Sequence, residues 1–206
     1  MSGVRRRRRT LVSLATASML STVLLPVTAT PSSAQETCAQ LERSGYFDKP
    51  PSETGVYSSA SVRCLINAER AKRGLPAYKD NSALSAAAFK HARASRDGKW
   101  WGYANSHVNP FTGSTIGSRI TAENYCPNPT YWRYAEVTYN GWGGGGTPRS
   151  AVHWWVYVST YGHRGIVLDP GLSDFGVGSI AGAADAAGAG RTDAGTYVVD
   201  FGVCRR

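Results

Sequence analysis

The sequence predicts an α+β domain in which helices pack over an antiparallel sheet, and three observations carry that prediction. Two segments before residue 100 repeat apolar residues at helical spacing, each with a capping residue ahead of it and a glycine behind. A third helical segment follows a Thr-Pro start at 147–148. Two strand-like alternations, "DFGVGSI" and "TYVVDFGV", close the chain. Helices first, then a mid-chain strand, a helix and a terminal hairpin is the order expected of helices covering an antiparallel sheet.

The chain opens with Arg5 to Arg9, an apolar run over 11–27 and small residues ending at Ala34. That is the pattern of a secretory signal peptide over 1–34, and Arg8-Arg9-Thr10-Leu11-Val12 resembles a twin-arginine export signal. Ser13, Thr16, Ser18, Ser21 and Thr22 dilute the run and Pro26 breaks it before roughly 20 apolar residues accumulate, so no transmembrane anchor is expected. Five of the formal +9 charges belong to the leader arginines. The remainder is a mild bias toward anionic surfaces and makes no case for nucleic-acid binding. An exported chain with Cys38, Cys64, Cys126 and Cys204 predicts two disulfides. Of the three pairings, Cys38–Cys64 with Cys126–Cys204 is favoured. The first would pin an N-terminal arm onto the first helix, and the second would tie mid-chain to the last strand. No pair has the C-x-x-C spacing of structural zinc.

Residues 35–59, with Gly45, Pro50-Pro51 and Gly55, read as an extended arm, and 60–206 as one domain with its own core. In "SASVRCLINAERAKRG", Val62, Leu65 and Ile66 share a helical face and Gly74 is the stop. In "KDNSALSAAAFKHARASRDG", Asp80 or Asn81 caps, Leu84, Ala87, Ala88 and His91 form one stripe, and Gly98 terminates. The polar, glycine-rich stretch 99–147 offers only short candidate elements near 116–124 and 134–139, with Glu123 on a short strand and 143–146 as a mobile loop. "RSAVHWWVYVSTYG" is the third helix, closed by Gly162, and the two terminal strands pair as a hairpin across the small-residue linker 181–195.

Helical spacing places His91 and His153 in packing roles, which leaves His107, in the turn-rich "NSHVNPFTGST", and His163 as the histidines open to chemistry. With Glu123 they are sufficient in type for a three-ligand metal site or for acid–base work, since imidazole titrates near pH ~6.5. A nucleophile is missing: there is no G-x-S-x-G, no H-E-x-x-H and no phosphate loop.

Several segments, in order, resemble the CAP superfamily, named for cysteine-rich secretory proteins, antigen 5 and pathogenesis-related proteins of group 1. "LINAERAKRGLPAY" and "SALSAAAFKHARA" are similar to its first two helices, "SHVNPFTGSTIGSRI" to its histidine loop and "AEN" to its G-E-N strand. "YVSTYGHRGIVLDPGLSDFGVG" is similar to its W-x-x-S-P-G-H-R stretch, and "YVVDFG" to its closing strand, so that the resemblance covers roughly 61–203. It implies a three-layer α-β-α sandwich and a cleft lined by His107, Glu123 and His163, with Asn124 beside the glutamate and Thr160 at a fourth position where other members carry glutamate or serine. It also implies that His107 and His163 are candidate ligands for zinc or another divalent cation, none being required. Ala122, Tyr157 and Tyr161 depart from the family pattern, and a hydroxyl at Thr160 weakens any cation site. The insertion 126–148, rich in tyrosine, tryptophan and glycine, would form a variable aromatic wall.

The function implied is a secreted bacterial binding module without catalysis, taking an extracellular lipid, sterol, cell-wall fragment or other apolar or sugar-like partner. The alternative is a metal-dependent hydrolase using His107, His163 and Glu123. A third use of the same residues is a purely structural cross-brace.

Overall fold

The computed structural model describes residues 33–206, with side chains from Cys38 onward. The leader assigned to 1–34 lies almost wholly outside the described residues. Among those described, no helix is long and apolar enough to cross a membrane.

The expected extended arm is instead helical. Helix α1 (Ser33–Arg43) leads through a 3-10 turn (Tyr46–Asp48) to α2 (Pro51–Thr54). Pro51 sits at the first positions of α2, where a missing N–H removes no hydrogen bond, so the Pro-Pro pair starts a helix rather than preventing one. Leu41 and Phe47 are buried, and the Cys38–Cys64 disulfide fastens α1 to α3 (Tyr57–Ala71) with its Cα atoms 5.6 Å apart.

Helix α3 sends Val62 and Ile66 into the core and ends with a buried arginine. Arg70 lies 3.6 Å over the Tyr78 ring; its Nε donates to the Pro76 carbonyl and its Nη1 to those of Val167 and Asp169. A planar fork with five donors can collect carbonyls from two segments in this way, which a lysine cannot. Helix α4 (Ser82–Gly98) starts where the Asn81 side chain accepts from the Ala83 and Leu84 amides, as its cap position predicts. Gly98 remains inside it, and the left-handed terminator is Lys99, φ 53°.

Residues 116–122 are not a strand. Thr115 and Ser118 cap one another reciprocally to launch α5 (Ile116–Ala122), and Glu123 is its last, C-capping residue. The segment 126–148 is not a variable wall either, since it carries β2 (Tyr131–Gly141), paired along its whole length with β4 (Gly195–Arg205). Residues 143–146 are tied down: the Tyr139 and Tyr197 hydroxyls donate to the Gly145 and Gly146 carbonyls, and the Gly144 amide donates to Asp193. Helix α6 (Pro148–His153) continues as a π-helical turn (Trp154–Val158) that stops at Ser159. Gly162, φ 83°, therefore does not close that helix. It reverses the chain in the left-handed region and caps the next one, α7 (His163–Val167).

The sheet order is β1-β3-β4-β2, with β3 (Asp174–Ala181) and β2 antiparallel to β4, the Cys126–Cys204 disulfide at one end, and the two-residue β1 (Lys79–Asp80) parallel to β3. The sheet is thus mixed rather than wholly antiparallel, and helices cover both faces, giving the three-layer α-β-α sandwich.

The two faces differ in chemistry. On one, Val137, Val199, Phe175, Phe201 and Trp155 pack with Val62 and Ile66 of α3 into the main apolar core. On the other, Val198 meets Ala88 and Ala92 of α4, and Gly176 and Gly178 let β3 approach that helix. A Cβ added at either glycine would fall 2.0 Å from the Ser85 nitrogen or 2.4 Å from the Ala88 carbonyl carbon. Beside this close contact the same face carries Glu136, Thr138 and Asp200, all buried.

Candidate functional site

His163 is the first residue of α7, buried under the ring of Trp154, whose centroid is 5.1 Å away. Its Nδ1 lies 2.8 Å from the Ser159 hydroxyl, which accepts a hydrogen bond from the Tyr161 amide. Burial, with the charge of His107 adding to it, pushes His163 down to about 4, so it is neutral at physiological pH.

His107 is half-buried on the loop between α4 and α5, and its Nδ1 lies 2.8 Å from Oε1 of Glu136, a carboxylate with no solvent exposure. The other oxygen of Glu136 takes Nη2 of Arg119, whose Nη1 donates to the carbonyls of His107 and Ser114. Arg119 thus holds both the carboxylate and the backbone that presents the histidine. Burial opposes ionisation of Glu136, but the His107 hydrogen bond and the Arg119 charge outweigh it and hold the carboxyl below its usual range.

Asp200 sits opposite Glu136 across β2 and β4 and is fully buried. Burial and the Glu136 charge keep its proton on well above the normal carboxyl range, and neither of its oxygens has a hydrogen-bond partner among the described residues. His91 closes the cluster from α4, with Nε2 donating 2.7 Å to the Ser106 carbonyl and burial lowering its affinity for a proton. It is a satisfied core histidine on that nitrogen, as its helical stripe predicts.

The residues expected from the sequence are therefore partly separated. His107 and His163 share no hydrogen bond among the described residues; what connects them is that Ser106, which precedes His107, and Trp154, which packs on His163, line one cavity. Glu123 does not join them: it ends α5 and pairs with Lys90 at 2.5 Å. Asn124 is exposed with φ 61°, and Thr160 is exposed in the turn before Gly162. Among the described residues, no three His, Cys, Asp or Glu side chains are grouped to hold a metal. A three-ligand cation site needs such a group, so the residues present do not fit one.

The carboxylate that serves His107 is Glu136, and its support is Asp200 and Arg119. The signals for the first two are acids inside strand alternations, "YAEVTY" and "YVVDFG", where a charge sits among Val, Tyr and Phe. Arg119 had no such signal.

The model of the cysteine-rich secretory protein family, CAP, matches residues 64–201, which includes every element that builds this cleft. The chain belongs to the CAP family. Two solved structures are similar to this chain. An outer surface protein from Borrelia burgdorferi is 16% identical, with a TM-score of 0.50 over 70% of this chain and 90% of that one. An extracellular protein containing an SCP domain from Bacillus anthracis str. Ames is 18% identical, with a TM-score of 0.49 over 72% of this chain. This chain spans 40% of that protein's length. The search of curated proteins gave no match.

Proposed function

We propose that this CAP domain works outside the cell as a non-catalytic binding module, holding a small ligand in the cleft between His107 and His163. The observation that carries the proposal is how the two histidines are committed. His163 is a base weakened by burial to about 4, so it stays neutral and is a poor proton acceptor at neutral pH, and His107 has its Nδ1 held on a buried carboxylate. Ser159 is the hydroxyl in contact with a cleft imidazole, and no acid orients that imidazole from its far side as an activated nucleophile requires. The extracellular setting is supported by the leader pattern, the two disulfides and the extracellular and outer-surface relatives.

Calorimetric titration of the purified protein with fatty acids, sterols and cell-wall fragments, alongside His107→Ala, is the test. A saturable ligand whose affinity falls in the variant supports the proposal. Turnover of a substrate together with no binding in any class refutes it.

The Arg119 contacts favour a second reading, in which the cluster only braces the 105–115 loop against the sheet. In that case His107→Ala lowers thermal stability and leaves every binding isotherm unchanged.

A further inference from the structure

A cavity of about 290 Å³ is lined by Trp101, Ser106, Thr138, Tyr139, Asn140 and Trp154. Its place in the fold follows from the site already described. Ser106 precedes His107, Thr138 lies two residues along the same strand face from Glu136, and Trp154 packs on His163. We propose that this cavity is a saccharide subsite that seats one neutral pyranose ring, a proposal that rests on the binding-module function and specifies its ligand.

The lining has the two kinds of surface such a ring needs. Trp101, Trp154 and Tyr139 supply aromatic faces, with Trp154 and Tyr139 centroids 5.7 Å apart and tilted by 47°. A pyranose presents C–H patches to such faces and hydroxyls around its edge. The same lining carries polar groups. The Ser106 and Thr138 hydroxyls are 2.9 Å apart and share one hydrogen bond, which leaves acceptor capacity on both. Asn140 uses its carbonyl oxygen on the Asp185 amide, and its NH₂ has no partner among the described residues. The Trp101 indole N–H has none either.

Three other ligand classes fit less well. An acyl chain or sterol would cover Ser106, Thr138 and Asn140 without satisfying them, and a buried unpaired polar group is penalised. The volume is also at the bottom of the ligand-sized range of about 300–1,000 Å³, enough for a single ring and too small to bury a long apolar body. No charged side chain lines the cavity, so nothing in it selects an anion or a cation.

The test is titration of the purified full chain with N-acetylglucosamine, its β-1,4-linked trimer and methyl α-glucopyranoside, read by tryptophan fluorescence and calorimetry. Laurate and cholesterol form the comparison arm, and Trp154→Ala and Asn140→Ala are run beside wild type with thermal melts. Saturable binding of at least one saccharide, weakened about tenfold or more in both variants while their melts remain cooperative, is the expected result. If Trp154→Ala does not fold, Trp154→Phe and Asn140→Ala carry the comparison, with Asn140→Ala expected to show the larger loss of hydrogen bonding. Laurate or cholesterol binding that depends on Trp154, with no saccharide bound, overturns the saccharide subsite and leaves the binding module standing. Saccharide binding that both variants retain also overturns the subsite. Absence of binding by every probe overturns both proposals.

Discussion

Glu136 and Asp200 face one another across β2 and β4, both without solvent contact, and a single proton held on Asp200 lets the two carboxyl groups share the space. Two adjacent carboxylates in a low-dielectric interior would repel, so neutralising one of them is the stable arrangement. The charge left on Glu136 then has Arg119 and His107 as its partners.

Glu123 and Glu136 should therefore behave very differently when neutralised. Glu123→Gln removes a partly exposed ion pair with Lys90 and should change stability by about 0–1 kcal/mol. Glu136→Gln leaves Arg119 buried without its counter-charge and should cost about 3–5 kcal/mol. Urea unfolding of the two variants at pH 7 makes the comparison, and equal effects would contradict the assignment of Glu136 as the carboxylate of the cleft.

Asp200 gives the protein a pH dependence of a definite sign. Its folded pKa is raised, so between the unfolded value of 3.8 and the folded one the native state holds a proton that the unfolded chain has released. Stability from this group is complete below 3.8 and declines as pH rises, by about 1.4 kcal/mol for each pH unit within that window. Asp200→Asn keeps the size of the side chain and has nothing to ionise. Its stability relative to wild type should rise as the pH is taken upward from 4, measured by urea unfolding.

His163 acts in the opposite direction. Its folded pKa is depressed to about 4 from 6.5, so the unfolded chain takes up a proton first as the solution is acidified. Its contribution is present above pH 6.5 and is lost on going down to about 4, a change of about 3 kcal/mol. A His163→Gln variant should show a flatter profile over that interval than wild type, and an unchanged profile would mean that the imidazole is not held neutral by the fold.

Arg70→Lys tests the joint between α3 and α7. The carbonyls of Pro76, Val167 and Asp169 lose their shared donor, and an ammonium cannot reach all of them. A loss of about 2–4 kcal/mol is expected, read as a lower melting temperature with both disulfides intact.

The helices α3 and α4, the terminal hairpin and the disulfide pairing were all legible in the chain, because each rests on local rules. Apolar spacing with a cap and a stop defines a helix, alternation defines a strand, and cysteines near the ends of adjacent elements define a bridge. The misreadings share a cause. Residues 116–122 are short, and the reciprocal Thr115–Ser118 cap decided for helix over strand. β2 was legible only as a short element near 134–139, because its face toward α4 carries Glu136 and Thr138, polar residues that local patterning assigns to solvent. Glu123 matched the family motif by its neighbours Ala122 and Asn124, but it stands at the end of a short helix rather than in the sheet.

The sequence by itself determined that this is an α+β chain of the CAP type and that it carries two disulfides, and it singled out His107 and His163 as the histidines open to chemistry. Only the tertiary structure decided which acid serves them. Residues 107, 119, 136 and 200 lie on a loop, a helix and two strands, and strand register alone sets Glu136 opposite Asp200 and beneath His107. Register is a long-range property: shifting β2 by one residue against β4 would turn Glu136 to the apolar face of the sheet, and nothing in the residues beside it records that choice.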